Sequence, residues 1–396
     1  MRGENIVCFA KDWDDDPTSN THVMRILARE NRVLWLNSIG MRRPTVGSAR
    51  DVRRMIRRLD DFRRGAHQVA PGLWVASPIA LPLPHHRLAT RLNRTLLRAT
   101  IGRLRRQLGM HDFQLWSFLP NVADYADLGQ SLLVYYCTDN WLHLAGADGA
   151  ALEAMERQLC RRADLVFGTS RWLVDAKRPH NPETHLASHG VDHAHFAAAL
   201  TADLPPPPEL ADVRGPVLGL IGLIDERIDL GLLEAVAVRH PEWTIAMIGT
   251  TLVDTAALAR HENVRVLGRQ PYARLPQFCR RFSVGLVPFL VNDFTRDINP
   301  IKLREYLSAG LPVVATALPE VGAYVPLAAV TRDADEFIRA VETALRDDSP
   351  ERRHERSRAM LAETWDAKVD ALGHHVMRIR RGANGLRPET KNAGQG

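Results

Sequence analysis

The chain is 396 residues long, 45% hydrophobic and 25% charged, with a formal net charge of +6. That length exceeds what one hydrophobic core organises, so two domains are expected. The longest apolar runs, SLLVYYC and GPVLGLIGLI, fall well short of the roughly 20 residues a membrane span needs, and four scattered cysteines (Cys8, Cys137, Cys160, Cys279) without a CxxC pair signal neither a disulfide framework nor a metal site.

The charge is uneven. Residues 1–200 hold 27 Lys and Arg against 20 Asp and Glu, while residues 201–396 hold 25 against 26, so the positive charge belongs to the first half. Five of the 52 basic residues are lysines, which makes a lysine inside a motif informative. The N-terminus MRGENIVCFAKDWDDD lacks the layout of a signal peptide, and a soluble or membrane-peripheral cytoplasmic protein is expected.

Short apolar runs alternate with helical stretches, the pattern of parallel sheets covered on both faces. In chain order the expected strands are NIVCFA, RVLWLN, LWVAS, FQLWSF, LLVYYCT, DLVFGTS and THLASHGV, then PVLGLIGL, WTIAMIG, NVRVLG, VGLVPF, LPVVAT and AAVT. Between the two sets lies AAALTADLPPPPELADVRG, whose four consecutive prolines suit neither a helix nor a central strand. This divides the chain into a first domain over 1–198, a linker over 199–215 and a second domain over 216–349. A helix over 350–380 follows, and then a disordered tail over 381–396.

The basic runs at 42–65 and 87–109 combine arginines with apolar residues at helical spacing. They suit an anionic membrane surface, or arginine is simply this chain's default surface residue. Without interleaved aromatics or a binding motif, they do not suit nucleic acid. Asp139 closes the strand LLVYYCT at the edge where open α/β sheets place ligands, as a general base toward an acceptor hydroxyl or as a helix cap. His22 and Asp12, near the end of the first strand, compete for the base role.

The richest stretch is INPIKLREYLSAGLPVVAT, residues 298–316. Asn299 and Pro300 read as N-cap and first helical position, and Gly310 as the stop, giving a helix over roughly 300–309. Its N-terminus, spanning Asn299, Ile301, Lys302 and Leu303, favours an anion. Lys302 and Glu305 project from one face: the lysine can meet phosphate and the carboxylate can accept two ribose hydroxyls, a bond worth about 1.5–3 kcal/mol. An ordinary surface pair at i,i+3, worth a few tenths of a kcal/mol, has the same spacing.

This stretch resembles the donor-nucleotide signature of GT-B glycosyltransferases of the family 4 type. The form NPxKxxEYLxxG looks like bacterial surface-polysaccharide transferases, including those of teichuronic acid type. LVYYCTDNW (133–141), ADLVFGTS (163–170), HGVDHAHF (189–196), LGLIGLIDERID (218–229) and NVRVLGRQPYARLPQF (263–278) fall in the family's order. The resemblance implies two Rossmann-like domains with an interdomain cleft, the first binding the acceptor, the second the donor, and a last helix returning to the first domain.

The resemblance also assigns roles. Glu305 would hold the ribose, and Asp297, eight residues earlier, would reach the donor sugar where the family usually has the longer glutamate. Gly222 and Arg227 would face the diphosphate, although a salt bridge from Arg227 to Asp225 or Asp229 explains the arginine equally well. Gly268, Arg269 and Tyr272 would border the nucleobase, with ordinary packing as the alternative for Tyr272. DWDDDP (12–17) contains a DxD, which binds metal in the other large glycosyltransferase fold, but here reads as a solvated loop or acceptor contact.

The expected activity is transfer of a sugar from a nucleoside diphosphate, UDP by preference, to the hydroxyl of a lipid-linked sugar, a polysaccharide or a small molecule. It would proceed with retention and without metal or cofactor. Lys302, Arg227 and the helix N-terminus would stabilise the leaving diphosphate, and Asp139 would serve as base if the reaction inverts. A sugar-nucleotide 2-epimerase and a non-catalytic nucleotide-binding subunit are the rival readings.

Overall fold

The structure is a computed structural model that describes residues 1–39, 62–81, 87–143, 148–201 and 203–385. Most of the basic run at 42–65 and the tail from residue 386 lie outside these. The chain forms two compact units: Met1–Thr169 with Leu173–Ala187 and the chain from Val369 on, and Ser188–Lys368 with Ser170–Trp172.

The first unit is built on an eight-stranded sheet. Its strands are β1 (Asn5–Phe9), β2 (Arg32–Leu36), β3 (His67–Ala70), β4 (Leu73–Ala76), β5 (Gln114–Ser117), β6 (Leu132–Cys137), β7 (Leu165–Gly168) and β8 (Thr184–Leu186), in the order β3-β4-β2-β1-β5-β6-β7-β8. All pair in parallel except β3, which pairs antiparallel with β4. The crossover connections carry α1 (Ser19–Leu27), α2 (Arg87–Gln107), α3 (Gly149–Arg162) and α4 (Arg171–Lys177). Every expected strand is present. The exception runs the other way: β3 was not anticipated, because its residues are half-exposed or exposed and lack an apolar period.

The second unit carries β9 (Val217–Ile221), β10 (Thr244–Ile248), β11 (Val264–Gly268), β12 (Val284–Val287), β13 (Val313–Thr316) and β14 (Ala328–Thr331). They form one parallel sheet in the order β11-β10-β9-β12-β13-β14. Its helices are α5 (His193–Thr201), α6 (Leu230–Arg239), α7 (Leu275–Arg281), α8 (Ile301–Ser308), α9 (Ala334–Asp347) and α10 (Pro350–Ala359), followed by α11 (Trp365–Gly385). The sheet is covered on both faces, which is why its strands read as unbroken apolar runs. Val217 and Ile221 pack with Phe196, Phe278, Tyr306 and Leu307. Leu218 and Leu220 alternate to the other face and pack with Leu233, Val236, Phe337 and Val341.

The unit boundary departs from expectation. The chain changes unit between Ala187 and Ser188, ahead of the proline run. Val191, Phe196, Ala199 and Leu210 are buried in the second unit's core, and Pro207 is itself buried, so the prolines run along that unit. The expected single helix over 350–380 is broken as well. A 3-10 turn, Met360–Glu363, separates α10, which belongs to the second unit, from α11, which passes into the first at Val369. Helix α11 then continues through Gly385, past the point where the disordered tail was expected to begin.

At the carboxyl edge of the second sheet, β9, β10 and β11 each run out through a glycine with positive φ: Gly222 (149°), Gly249 (151°) and Gly268 (67°). The Gly222 amide donates to the Ile248 carbonyl and the Gly249 amide to the Gly268 carbonyl, both at 2.9 Å. A Cβ on Gly249 would stand 1.6 Å from the Gly222 carbonyl oxygen. At Gly249 no side chain fits, while at Gly222 and Gly268 a Cβ would meet nothing within 4 Å and it is the positive φ that favours glycine, so the edge stays bare backbone. Replacing Gly249 by alanine should therefore lower the unfolding free energy by about 3 kcal/mol, as read from denaturant unfolding. Gly322→Ala, where a Cβ meets nothing within 4 Å, should change it by less than about 0.5 kcal/mol. Equal effects would show that the seam relaxes.

Candidate functional site

In the numbering of its own strands the second sheet runs 3-2-1-4-5-6, and ligands of such sheets bind at the carboxyl ends where the order reverses. Here that point lies between β9 and β12. The two strands pair at Leu218 with Val284 and at Gly219 with Gly285. Beyond this the amide of Ile221 donates to the Tyr306 hydroxyl instead, at 2.6 Å. Tyr306 is fully buried, and its ring lies against Gly285, where a Cβ would come within 2.6 Å of it. Burial raises the pKa of its hydroxyl well above the ordinary value, so it stays protonated. Helix α8 is thereby docked at the switch point.

The loops leaving the two strands are tied together. Asp229 N donates to Pro288 O and Leu290 N to Arg227 O, both at 2.8 Å, and Ile228 and Phe289 form an antiparallel bridge. Arg227 consequently stands beside the exit of β12. Its Nη2 lies 2.7 Å from Asp225 Oδ2 and its Nε 3.0 Å from each Asp225 oxygen. The salt-bridge alternative is the observed arrangement, and the buried carboxylate of Asp225 orients the guanidinium.

Helix α8 starts one residue later than expected. Pro300 occupies the N-cap position and supplies no side-chain cap. Asn299 cannot serve, because its Oδ1 accepts from Arg304 Nη1 at 2.6 Å and its Nδ2 donates to Glu320 Oε2 at 3.2 Å. Leu303 is also withdrawn: its amide donates to the Pro300 carbonyl and its side chain belongs to the core. Ile301 is half-buried in the first turn. Gly310 ends the helix as expected, with φ 78°.

Lys302 and Glu305 are joined at 2.7 Å, with side chains 26% and 6% exposed. This is no solvated surface pair, so the few tenths of a kcal/mol of exposed pairs do not describe it. The carboxylate keeps lone pairs for hydroxyl donors, and the ammonium has three protons to place. Tyr272 faces the same charge: burial first, then the carboxylates of Glu305 and Asp192, raises its phenol pKa. Its ring stacks on His195 at 4.4 Å and meets Phe196 edge-on, which is the packing role. Gly268 belongs to the glycine seam, Arg269 is exposed just beyond it, and Asp297 is buried in the loop before α8.

Residues 215–347 match the family described as glycosyl transferases group 1. They form a group 1 glycosyltransferase domain. A candidate teichuronic acid biosynthesis glycosyltransferase, TuaH of Bacillus subtilis (strain 168), is 28% identical over 222 residues, 52% of this chain and 55% of that protein. The match thus spans about half the length of that curated relative. Among solved structures, sucrose-phosphate synthase from Thermosynechococcus elongatus superposes with a TM-score of 0.67 at 16% identity, covering 96% of this chain and 100% of that one. A trehalose-6-phosphate protein of E. coli bound with UDP-2-fluoro glucose gives 0.66 at 13%, over 96% and 99%. Anabaena HepE in complex with UDP and glucose gives 0.64 at 13%, over 94% and 99%. The fold is that of the GT-B glycosyltransferases.

Within the second unit, the residues that sequence reasoning passed over are Arg304 and the carboxylates around it. Arg304 is 2% exposed. Besides Asn299 it reaches Glu363 Oε2 at 3.3 Å, and its guanidinium lies 4.9 Å from the Tyr324 ring centroid. Glu363 also accepts from Lys368 at 2.9 Å and from the Tyr324 hydroxyl at 3.1 Å. Glu320 Oε1 accepts from the Arg171 amide at 2.7 Å. An arginine in a helix reads as solvent-facing by default. The signal available was its place in the period, one residue after core Leu303 and two before Tyr306.

At the carboxyl edge of the first sheet, Asp139 is exposed and accepts from the amide of Asn140, its neighbour, at 2.9 Å. Asp148, not Asp139, caps α3. The loop bearing Asp12 is tied to the end of β2: Asp12 Oδ1 accepts from Ser38 N, and Asn37 Oδ1 from Trp13 N. His22 is half-buried on α1. Among the described residues no group of three or more His, Cys, Asp and Glu side chains is placed to hold a metal ion. Sequence reasoning did not single out Ser19, Asn20, Ser117, Asn121 and Thr169, polar residues the structure buries at this edge.

The Arg304 network makes a pH-dependent prediction. Burial raises the Glu363 pKa, but Lys368 and Arg304 outweigh it and hold the carboxyl below the ordinary 4.5. A depressed carboxylate contributes stability that is present above the ordinary value and lost as pH falls through the depressed one. Glu363→Gln should cost about 2 kcal/mol at pH 7, with the deficit shrinking below about pH 4.5. Parallel denaturant titrations of both proteins across this range check it; a deficit independent of pH would assign the loss to packing.

Proposed function

We propose that the chain is a glycosyltransferase that moves a sugar from a nucleoside diphosphate, by preference UDP, to a hydroxyl acceptor in surface-polysaccharide biosynthesis. The observation that carries this reading is the Lys302–Glu305 pair in the first turns of α8, docked by Tyr306 at the switch point of a sheet in Rossmann order. The ammonium and the helix N-terminus attract the diphosphate, and the Glu305 carboxylate accepts from the ribose hydroxyls. The bare glycine edge lets the nucleotide approach backbone directly, bordered by Arg269 and Tyr272, while Asp297 reaches toward the donor sugar.

Departure of the sugar leaves negative charge on the diphosphate, and Lys302, the Asp225-oriented Arg227 and the helix N-terminus stabilise it. In a retaining, metal-independent course the leaving phosphate itself takes the acceptor proton. The similarity to TuaH supports the pathway class, and the uridine nucleotides bound by two of the similar structures support UDP.

Calorimetric titration with UDP, GDP, TDP and ADP sugars in chelator tests the donor. One nucleotide should bind, and Glu305→Ala should weaken it about tenfold to a hundredfold; binding indifferent to Glu305 would overturn the assignment. For turnover, Lys302→Met should lower kcat about a hundredfold, and proton NMR of the product should show the donor's anomeric configuration. An inverted product would instead call for a positioned base, with Asp139 the first to substitute. An epimer formed from donor alone would replace transfer by isomerisation, and binding without transfer or hydrolysis would leave a non-catalytic subunit.

A further inference from the structure

Helix α2 holds the first unit's core with Ala89, Asn93, Leu97, Ile101 and Leu104, all buried. Asn93 fixes the helix to the preceding segment, its amide donating to the Leu81 carbonyl at 3.1 Å and its Oδ1 accepting from the Leu81 amide at 2.7 Å. The face flanking these positions is unusual. Leu88, Leu92 and Leu96, spaced at i, i+4 and i+8, form a stripe along it and are 68%, 48% and 37% exposed. Exposed Arg103 and Arg106 continue the stripe, exposed Arg91 lies about 100° to one side, and exposed Arg98 and Arg94 lie farther round the helix. The 21-residue helix contains no acidic residue.

We propose that this face of α2 docks the protein on an anionic phospholipid surface, with the three leucines entering the acyl boundary and the arginines meeting lipid phosphates. The charge pattern selects this occupant. A second copy of the chain would bring the same arginines against themselves, because a two-fold interface pairs a patch with its own image. The chain's own segment 42–58 is no better, since it carries seven arginines against one aspartate. A nucleic acid would take up the arginines but leave the leucines in water. Anionic lipid satisfies both. Some of the charge is already engaged, as Arg98 pairs with Asp127 at 3.2 Å and Arg94 donates to the Asp124 carbonyl at 3.0 Å, and Arg103 lies over the Phe62 ring, 5.9 Å from its centroid, where it keeps its charge, so the leucines and Arg91, Arg103 and Arg106 carry the contact. Among the described residues no helix is long and apolar enough to cross a membrane, and this mode is attachment to one leaflet.

Flotation of the full chain tests this, using vesicles of phosphatidylcholine alone or with about 30% phosphatidylglycerol, at about 50 mM and about 500 mM salt. The protein should float with the anionic vesicles at low salt, less at high salt, and not with the neutral ones. Leu88→Gln/Leu92→Gln/Leu96→Gln should reduce the partition coefficient at least about tenfold with an unchanged thermal unfolding midpoint. Each of Arg91→Gln, Arg103→Gln and Arg106→Gln should lower it about fivefold. The proposal is overturned if the wild type ignores anionic vesicles at low salt, or if the leucine variant floats as well as the wild type. It is equally overturned if that variant unfolds at a lower temperature, because the leucines then pack on the chain itself, or if sedimentation shows a dimer that the substitutions dissolve. None of these outcomes depends on donor binding, so this proposal and the transferase reading stand or fall separately.

Discussion

The hydrogen bond from the Ile221 amide to the Tyr306 hydroxyl ties helix α8 to the sheet at the place where β9 and β12 stop pairing. An open parallel sheet whose order reverses must leave backbone donors unpaired along the parting strands, and a buried unpaired amide costs about 1–3 kcal/mol. Tyr306 meets that need from the helix side, and Gly285 on β12 leaves room for its ring. The position of Lys302 and Glu305 follows, since they are one turn before Tyr306 and adjacent to it on the same short helix. Chemistry at the switch point is in this sense a consequence of how the sheet solves a hydrogen-bonding problem.

A second constraint acts from behind the helix. Arg304 is almost wholly buried, and a buried guanidinium is tolerable only when its donors are satisfied. It draws in Asn299 and Glu363, and Asn299 in turn draws in Glu320. The result is that the residue best suited to cap α8 is taken away from the cap. Pro300 at the N-cap supplies no side-chain acceptor to the first turn of α8, and such a helix end suits an external anion. Glu363 and Lys368 belong to the segment that leads into α11, so the network also anchors the chain just before it passes into the first unit.

Much of this was legible in the sequence. Strands buried on both faces announce themselves as apolar runs, and thirteen were read; β3 escaped because an edge strand paired on one side needs no apolar pattern. The glycine stop of α8 and the Lys302–Glu305 face followed from local rules. What failed were inferences in which a tertiary partner outbids a local one. Asn299-Pro300 has the signature of a cap, but an arginine five residues on claims the asparagine. The proline run looks like a linker, but buried Pro207 and Leu210 hold it to one unit. Gly249 was missed although it ends its strand as Gly222 and Gly268 end theirs. Its importance lies in a contact with a backbone 27 residues away, which no local pattern encodes.

The parallel run β4-β2-β1-β5-β6-β7 of the first sheet has the same order as the second sheet, yet the carboxyl edges differ in chemistry, and the difference bears on what each can hold. The second edge is bare glycine backbone flanked by Arg227 and Lys302, suited to an anion that needs close approach and positive charge. The first edge buries serine, threonine and asparagine side chains, groups that both donate and accept. Such groups discriminate poorly between anions but match a ligand made of hydroxyls, each of which also donates and accepts. Under the proposed function, this chemistry fits a donor on the second unit and a hydroxyl acceptor on the first.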